Sequence, residues 1–240
     1  MEAIIRVAGL RFRYDDGTQA LDDVHFHLRD GETVAVFGPN GSGKTTFLLA
    51  LAGLVAAEGE IEICGLPMHR RQQKHIRQKL GILFQDSDDQ LFMPTVFDDV
   101  AFGPLNLGLP AEEVQRRVTS CLAMVGLQAA AARAPYHLSA GEKRRAALAG
   151  VLALQPQILA LDEPVTFLDP PARAALIEIL RGLPQAKIIV THDTDLAREL
   201  ATRAVFFRSG KIAASGAVEE IVDRFQWDHR SCRPSAIRSP

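Results

Sequence analysis

Alternation of apolar and polar positions near the N-terminus predicts β-strands. Val24, Phe26 and Leu28 alternate with polar residues, as in a strand with one buried face. Residues 33–37 are almost all apolar, which indicates a short, fully buried strand. Further strands are predicted at residues 4–14, 60–64, 81–84, 158–161, 187–191 and 204–208. The chain therefore opens as β structure and returns to strands after a helical middle.

Apolar residues spaced three and four apart predict helices. Such spacing runs through residues 114–125, and Glu112 and Glu113 lie where a helix N-terminus favours negative charge. Ser139 can cap a helix that extends to Leu154. Other helices are predicted at residues 43–52, 172–181 and 196–201. Strands and helices alternate in the last third of the chain, which predicts a mostly parallel sheet with helices on its faces.

The middle of the chain differs in character from the α/β segments on either side. Pro94, Pro104 and Pro110 punctuate it, and helical spacing follows them. We predict a single domain in which an α/β core is interrupted by a helical piece and followed by a loose polar tail. The ranges are 1–240 for the domain, 1–85 and 156–227 for the core, 86–155 for the helical piece and 228–240 for the tail.

Composition narrows the functional classes. The chain is 47% hydrophobic and 23% charged, as an ordinary globular protein is, and its net charge of -2 argues against nucleic acid as a partner. Three widely spaced cysteines without a CxxC pair fit a reducing cytosol. No signal peptide is visible, and Gln155 and Pro156 break the longest apolar run. We therefore expect no membrane span, although docking on a membrane protein stays open.

A phosphate-binding loop is the strongest local motif. Gly38, Gly43, Lys44 and Thr45 match the pattern G-x-x-x-x-G-K-S/T between a predicted strand and a predicted helix. Glycines let backbone N–H groups approach phosphate, Lys44 supplies positive charge to the β- and γ-phosphates, and the Thr45 hydroxyl is a Mg²⁺ ligand. We predict nucleotide contacts from Gly38, Asn40, Gly41, Ser42, Gly43, Lys44, Thr45 and Thr46.

Two later strand ends carry further candidate residues. Asp162 and Glu163 follow an apolar strand, where an Asp can hold Mg²⁺ and the adjacent Glu can orient or deprotonate an attacking water. His192 ends the next strand, where it can hydrogen-bond a γ-phosphate. Because neighbouring strand ends meet at one edge of a parallel sheet, we expect the three side chains to lie together.

Taken with the segment at residues 138–142, these motifs resemble the ATPase subunit of ATP-binding cassette (ABC) transporters. The resemblance extends from Ile4 to about Ile221. It implies a P-loop NTPase core with a mostly parallel sheet, an N-terminal antiparallel β subdomain and an inserted helical subdomain. In that family the segment is the signature, and the resemblance implies that Ser139 and Gly141 contact ATP held by a second subunit. Ala140 stands where the family has Gly.

The resemblance implies three further roles. Tyr14 matches the aromatic residue that stacks on adenine, although a strand aromatic facing the core is the competing interpretation. Gln85 matches the glutamine that reaches Mg²⁺ and the attacking water and joins the two subdomains. Asp169 matches the acid that crosses the dimer interface. The three residues before Leu168 are bulkier than the family usually shows.

Residues 84–92 and 96–104 resemble the energy-coupling-factor branch of this family, which imports cobalt, nickel and vitamins. The resemblance implies an ATP- and Mg²⁺-dependent ATPase that drives uptake of cobalt or nickel; a vitamin importer is the alternative. The implied partners are a second ATPase subunit, identical or a paralogue, a membrane-spanning coupling subunit and a substrate-binding membrane component. The implied location is peripheral, on the cytoplasmic face of the cell membrane.

Two other functions fit parts of the sequence. A soluble ABC ATPase of DNA repair or translation shares the motifs, but such proteins usually carry two cassettes or long coiled-coil insertions. A P-loop kinase of small metabolites has no use for the signature segment. The acidic residues near Asp88 favour a solvated loop over a metal site. His229 and Cys232 could bind a metal, but two such ligands in a predicted loose tail are weak evidence for a site.

Overall fold

Strands and helices alternate along the part of the chain that the computed structural model describes, residues 3–228. The strands are β1 (Ala3–Arg13), β2 (Gln19–Arg29), β3 (Thr33–Phe37), β4 (Glu58–Ile63), β5 (Leu66–Pro67), β6 (Leu80–Leu83), β7 (Ile158–Asp162), β8 (Ala186–Val190), β9 (Arg203–Arg208) and β10 (Lys211–Gly216). The helices are α1 (Lys44–Leu51), α2 (Gln73–Lys79), α3 (Val96–Asn106), α4 (Ala111–Met124), α5 (Ala140–Ala153), α6 (Pro170–Gly182), α7 (Thr194–Leu200) and α8 (Val218–Phe225). Nearly all of the predicted tail, including His229 and Cys232, lies outside the described residues.

The described strands form two sheets. The first has the order β2-β1-β4-β5 and is antiparallel throughout. The second has the order β10-β9-β3-β8-β7-β6 and is parallel except for β10. This architecture confirms the predicted fold class, since a mostly parallel sheet accompanies an N-terminal antiparallel one. Because β3, β7 and β8 are neighbours, their carboxyl ends meet at one edge.

Apolar side chains fill the space on both sides of the parallel sheet. Phe47 and Leu51 of α1 pack with residues of the antiparallel sheet such as Leu28, and with Ile188 of β8. On the opposite side α3, α4 and α5 share a second core with β7. Burial of these faces is the main driving force that fixes α1, and hence the loop before it, against the sheet edge.

The helical middle of the chain holds a helix that the proline pattern concealed. Pro104 lies inside α3, where it lacks the N–H that would bond to the turn before it. The helix forms because Thr95 caps it by accepting from the Asp98 N–H, and because Val100 is buried in the core. The proposed division of the chain near residues 86 and 155 stays a prediction. None of the described helices combines the length and apolarity that crossing a bilayer requires.

Candidate nucleotide site

The phosphate loop depends on two glycines because the backbone of other strands comes close to it. A Cβ atom on Gly38 would lie 2.3 Å from the Phe207 carbonyl oxygen, and one on Gly43 would lie 2.3 Å from that of Ala20. Both glycines also have positive φ, 143° and 106°. Gly43 is the residue before α1, so the loop delivers the chain directly into that helix N-terminus.

Lys44 is buried inside the loop. Its Nζ donates to the carbonyl oxygens of Gly38 (2.8 Å) and Pro39 (2.9 Å). Burial lowers the pKa of Lys44, and the carboxylates of Glu163 and Asp162 oppose this shift. The ammonium is therefore kept in a partly desolvated position, where its attraction for an anion is stronger than in water.

Thr45 and Asp162 link the loop to the end of β7. The Thr45 hydroxyl donates to Asp162 Oδ2 at 2.8 Å. Burial raises the pKa of Asp162, while the Thr45 hydrogen bond and the Lys44 charge lower it. A hydroxyl and a carboxylate at this distance are hard oxygen donors of the kind that Mg²⁺ prefers, so the donor set fits that ion.

Glu163 follows in a left-handed conformation with φ of 47°. Its Oε2 accepts from the Thr166 hydroxyl at 2.9 Å, and its Oε1 lies 3.4 Å from His192 Nε2. Oε1 is buried and accepts no hydrogen bond within the described residues, which leaves it able to accept one from a water. Burial raises the pKa of Glu163, a direction that suits a general base.

His192 lies between the phosphate loop and Glu163. Its Nε2 is 3.1 Å from Asn40 Oδ1, and its backbone N–H donates to Glu163 Oε2 at 3.4 Å. The next residue, Asp193, caps α7 by accepting from the Leu196 N–H and binds both nitrogens of the Arg173 fork. The loop that carries His192 is thus held by Asn40 and Glu163 at His192, and by Arg173 at Asp193.

Most of the predicted site residues line one of two neighbouring cavities. The first, of about 340 Å³, is lined by Asn40, Lys44, Thr45, Gln85, Asp162, Glu163, Thr166, Val190 and His192. The second, of about 400 Å³, is lined by Tyr14, Thr18, Ala20, Asn40, Gly41, Gly43, Lys44, Thr45 and Thr46. We call Lys44, Thr45, Asp162, Glu163 and His192 the strand-tip cluster. Ser42 lines neither cavity, and its carbonyl oxygen accepts from the Gly210 N–H.

Tyr14 lies at the mouth of the second cavity and is 40% exposed, so it does not face the core. Its hydroxyl shares a hydrogen bond of 2.9 Å with that of Thr46, and its ring meets Phe12 edge to face. One flank of the ring therefore remains accessible to a planar ligand.

The signature turn, residues 139–142, lies outside both cavities. Ser139 is exposed and forms a capping box with Glu142: its Oγ accepts from the Glu142 N–H, and its own N–H donates to the Glu142 carboxylate. The amides of Ala140 and Gly141 follow the cap and have no acceptor inside the helix. Gly141 is buried, since a Cβ there would lie 2.5 Å from Ala172 Cβ.

Asp169 lies outside both cavities as well. Its carboxylate caps α6 by accepting from the Ala172 N–H at 2.9 Å. Phe167, two residues earlier, is 87% exposed and has a positive φ of 65°. The structure of one chain therefore places Ser139, Gly141 and Asp169 apart from both cavities.

Sequence reasoning missed two arginines that position the site. Arg144 of α5 is buried and donates to the carbonyl oxygens of Phe84 and Gln85, which ties the helix of the signature turn to Gln85. Arg173 of α6 holds Asp193. Three consecutive basic residues, Lys143 to Arg145, directly before an apolar helical run were the available signal for Arg144, while only the fold pairs Arg173 with Asp193.

Comparison with known proteins decides the family. The family model described as ABC transporter matches residues 21–166, more than half of the chain. The chain belongs to the ABC transporter family. It is an ATPase subunit, and the predicted resemblance is confirmed.

Individual ABC relatives agree with this assignment. The energy-coupling factor transporter ATP-binding protein of Methanothermobacter thermautotrophicus is 46% identical, over 99% of this chain and 77% of that protein. The structure of cbiO1 from Clostridium perfringens, part of the ABC transporter complex cbiONQ, is 33% identical with a TM-score of 0.84, over 94% and 93% of the two chains. The cassette MJ0796, solved as a dimer in a post-hydrolysis state with ADP and Pi, is 28% identical with a TM-score of 0.80, over 89% and 98%. This ABC ATPase is therefore of the energy-coupling-factor type.

Proposed function

We propose that two ATPase subunits, either two copies of this chain or this chain and a paralogue, enclose two ATP molecules between them. The observation that carries the proposal is the separation just described. One chain gathers the strand-tip cluster in a cavity, whereas Ser139 of its signature turn is exposed and the turn lines neither cavity. A second chain would bring its own Ser139 and the amides around Gly141 to that ATP. The dimeric, ADP-bound structure of MJ0796 supports this arrangement.

Within each half-site the geometry suits hydrolysis. Lys44 would neutralise the β- and γ-phosphates, and the loop residues Gly38, Asn40, Gly41, Ser42, Gly43 and Thr46 would cradle them. Thr45, Asp162 and Gln85 would hold Mg²⁺, which neutralises phosphate charge when bound. Tyr14 would stack on adenine, and Asp169 would reach the partner subunit.

Glu163 and His192 would act on the attacking water. The buried Oε1 of Glu163, without a hydrogen-bond donor in the described residues, is the position from which a water proton is accepted. His192 Nε2, within 3.4 Å of the same oxygen, would donate to the γ-phosphate and hold the water between them. Loss of that phosphate removes contacts that exist only in the closed pair, so the pair opens.

A second surface supports coupling to a membrane-spanning partner. Phe92 is 61% exposed and Phe102 is 42% exposed, and their rings meet edge to face beside a cavity of about 300 Å³ between β6, α3 and α5. Arg144 of α5 holds Gln85, which lines the nucleotide cavity. The position of a partner helix that binds at Phe92 would therefore be coupled to whether the site holds ATP or ADP. On this proposal the chain lies peripherally on the cytoplasmic face of the cell membrane.

The transported substrate completes the proposal. We infer uptake of a cobalt or nickel ion through a coupling subunit and a substrate-binding membrane component, with a vitamin as the alternative. The solved relative from the cbiONQ complex supports a multi-subunit transporter. Reconstituted vesicles that contain the chain and its membrane partners should accumulate the substrate only with ATP.

Glu163→Gln tests the shared-site mechanism. The variant should bind ATP, form a stable dimer in size-exclusion chromatography with light scattering, and hydrolyse ATP about 100-fold to 10,000-fold more slowly than the wild type. Glu178→Gln, on an exposed part of α6, is the matched control and should behave as the wild type does. Normal turnover by Glu163→Gln, or a monomer at saturating ATP, would overturn the proposal.

A further inference from the structure

The ring of His192 has a neighbour from the far C-terminal end of the described chain. Trp227 stacks on it, with ring centroids 5.6 Å apart and planes inclined by 29°. Trp227 follows α8, thirty-five positions beyond His192, and is the single tryptophan among the 240 residues. An aromatic pair at this separation lies within the range of attractive ring contacts.

Backbone geometry directs Trp227 toward this position. Gln226 ends α8 in the left-handed conformation (φ 50°, ψ 43°), which reverses the chain and lets the Trp227 N–H bond to the Val222 carbonyl oxygen at 2.9 Å. A left-handed non-glycine residue is unfavourable and persists where surrounding contacts hold it. The segment therefore turns back onto the sheet edge instead of leaving it.

Ring contacts, and no indole hydrogen bond, hold the side chain of Trp227. Its edge meets Phe206 of β9 at 5.1 Å and 86°. Its Nε1 is buried and finds no acceptor in residues 3–228. Because an unpaired buried donor is unfavourable, the two ring contacts and the packing of the indole against the apolar cluster that includes Phe206 must offset that loss. The orientation of the indole is consequently tied to the orientation of the imidazole.

A second attachment joins this segment to the loop of His192. Arg198 of α7 binds Glu219 near the start of α8, and it also binds Asp228 just after Trp227. Helix α7 begins at the residue after Asp193, so both ends of the C-terminal segment are fixed to the helix that His192 precedes. The segment that carries Trp227 and the loop that carries His192 are thus attached to the same helix.

We propose that Trp227 is a positioning residue for His192. Its indole face keeps the imidazole plane in the orientation that places Nε2 3.1 Å from Asn40 Oδ1 and 3.4 Å from Glu163 Oε1. This inference rests on the proposed function, in which that nitrogen donates to the γ-phosphate. Without the indole, the imidazole gains rotational freedom and spends less time in the productive orientation.

Two substitutions separate ring stacking from space filling. Trp227→Phe keeps an aromatic face, and Trp227→Leu keeps apolar bulk without a ring. We expect kcat for ATP hydrolysis to fall about threefold to tenfold in Trp227→Leu while KM for ATP stays within about twofold, because stacking orients the imidazole more than it binds nucleotide. Trp227→Phe should restore most of kcat. Equal kcat in wild type and Trp227→Leu, at equal melting temperature, would overturn the proposal.

Proton NMR measures the orientation without relying on turnover. The indole ring current should shift the His192 imidazole C–H resonance upfield in the wild type, less in Trp227→Phe and not at all in Trp227→Leu. His192→Gln identifies the resonance by its disappearance. An identical shift in all three proteins contradicts the stack. If Glu163→Gln hydrolyses ATP normally, the proposed function fails, and the resonance still decides whether Trp227 orients His192.

Discussion

The strand-tip cluster and the signature turn differ in how their polar groups are placed and paired. In the strand-tip cluster, Lys44, Asp162 and Glu163 are ionisable groups buried at one sheet edge, and burial shifts the pKa of each against its charged form. In the signature turn, Ser139 and Glu142 satisfy each other in a capping box at the surface. The buried charges of the strand-tip cluster would gain a partner from a charged ligand. The polar groups of the capping box already have their partners within the chain.

This difference teaches which half of the proposed site is preformed. A capping box orders the first turn of α5 locally, so the amides of Ala140 and Gly141, which have no acceptor inside the helix, are already fixed in position in one chain. The strand-tip cluster instead holds the Lys44 ammonium on loop carbonyl oxygens, and on the proposed function this cation exchanges those contacts for a phosphate. Nucleotide should therefore bind to one chain first, and the signature turn of a partner should dock as a rigid piece.

Lys44→Met should produce the largest effect and tests the buried half. The variant removes the cation that the loop carbonyls hold, so we expect kcat to fall about 100-fold to 1,000-fold and ATP affinity to weaken in calorimetric titrations. Lys187→Met is the matched control, because Lys187 is also buried and bonded to two carbonyl oxygens, those of Leu183 and Gln185, but lines neither cavity. It should lower the melting temperature and leave ATP affinity intact. Unchanged affinity in Lys44→Met would contradict the comparison.

Ser139→Asp tests the exposed half by separating capping from phosphate binding. Aspartate caps a helix about as well as serine, so the free energy of unfolding should change by less than about 0.5 kcal/mol. A carboxylate in the signature turn would repel the partner's ATP, so ATP-dependent dimerisation should disappear and kcat should fall about 100-fold. Ser139→Ala removes the cap, so its free energy of unfolding should fall by about 1 kcal/mol, in contrast to that of Ser139→Asp. A dimer of normal affinity in Ser139→Asp would exclude this contact.

The elements that sequence patterns located are those held by local chemistry. A few consecutive residues are enough to predict each of these elements: the buried strand before Gly38, the Ser139 cap and the apolar strand that ends at Asp162. Family resemblance added the interpretation of Gln85 and Tyr14. Gln85 lines the first cavity and Tyr14 lines the second, and their roles stay predictions.

The features that sequence analysis did not predict depend on contacts between residues that are distant in sequence. Helix α3 keeps Pro104 because tertiary burial and the Thr95 cap outweigh one missing hydrogen bond. The pairing of Arg173 with Asp193 spans twenty residues, and the contact of Trp227 with His192 spans thirty-five. No periodicity or spacing rule encodes such pairs, since only the order of strands in the sheet brings them together.

Gly141→Ala sharpens the comparison by asking whether Gly141 serves packing or phosphate. The added methyl would lie 2.5 Å from Ala172 Cβ, so we expect a loss of about 1–3 kcal/mol in the free energy of unfolding. Adding Ala172→Gly should recover the loss caused by this contact, less about 0.5–1 kcal/mol for a glycine in α6, and most of the hydrolysis, because the backbone N–H of residue 141 is unchanged. Urea unfolding and steady-state hydrolysis measure the cycle. Recovered stability without hydrolysis would show that the methyl obstructs the partner's nucleotide.

Arg173→Met should have the smallest effect and probes how the loop of His192 is held. Burial alone would raise the pKa of Asp193, but hydrogen bonds from Arg173 and the Leu196 N–H outweigh it, so this pKa lies below its ordinary value of 3.8. A lowered folded-state pKa contributes stability that is complete above the ordinary value and is lost as pH falls through the lower one.

Removing Arg173 should therefore cost about 1 kcal/mol near neutral pH, since the pair is half-buried and bidentate. The difference between wild type and variant should narrow as the pH is lowered below about 4. Urea unfolding across this range measures both free energies, and Arg181→Met, which removes an exposed arginine that pairs with Glu199, is the control. A difference that stays constant at acid pH would mean that Arg173 stabilises α6 by packing, and that the loop of His192 is held by its other contacts alone.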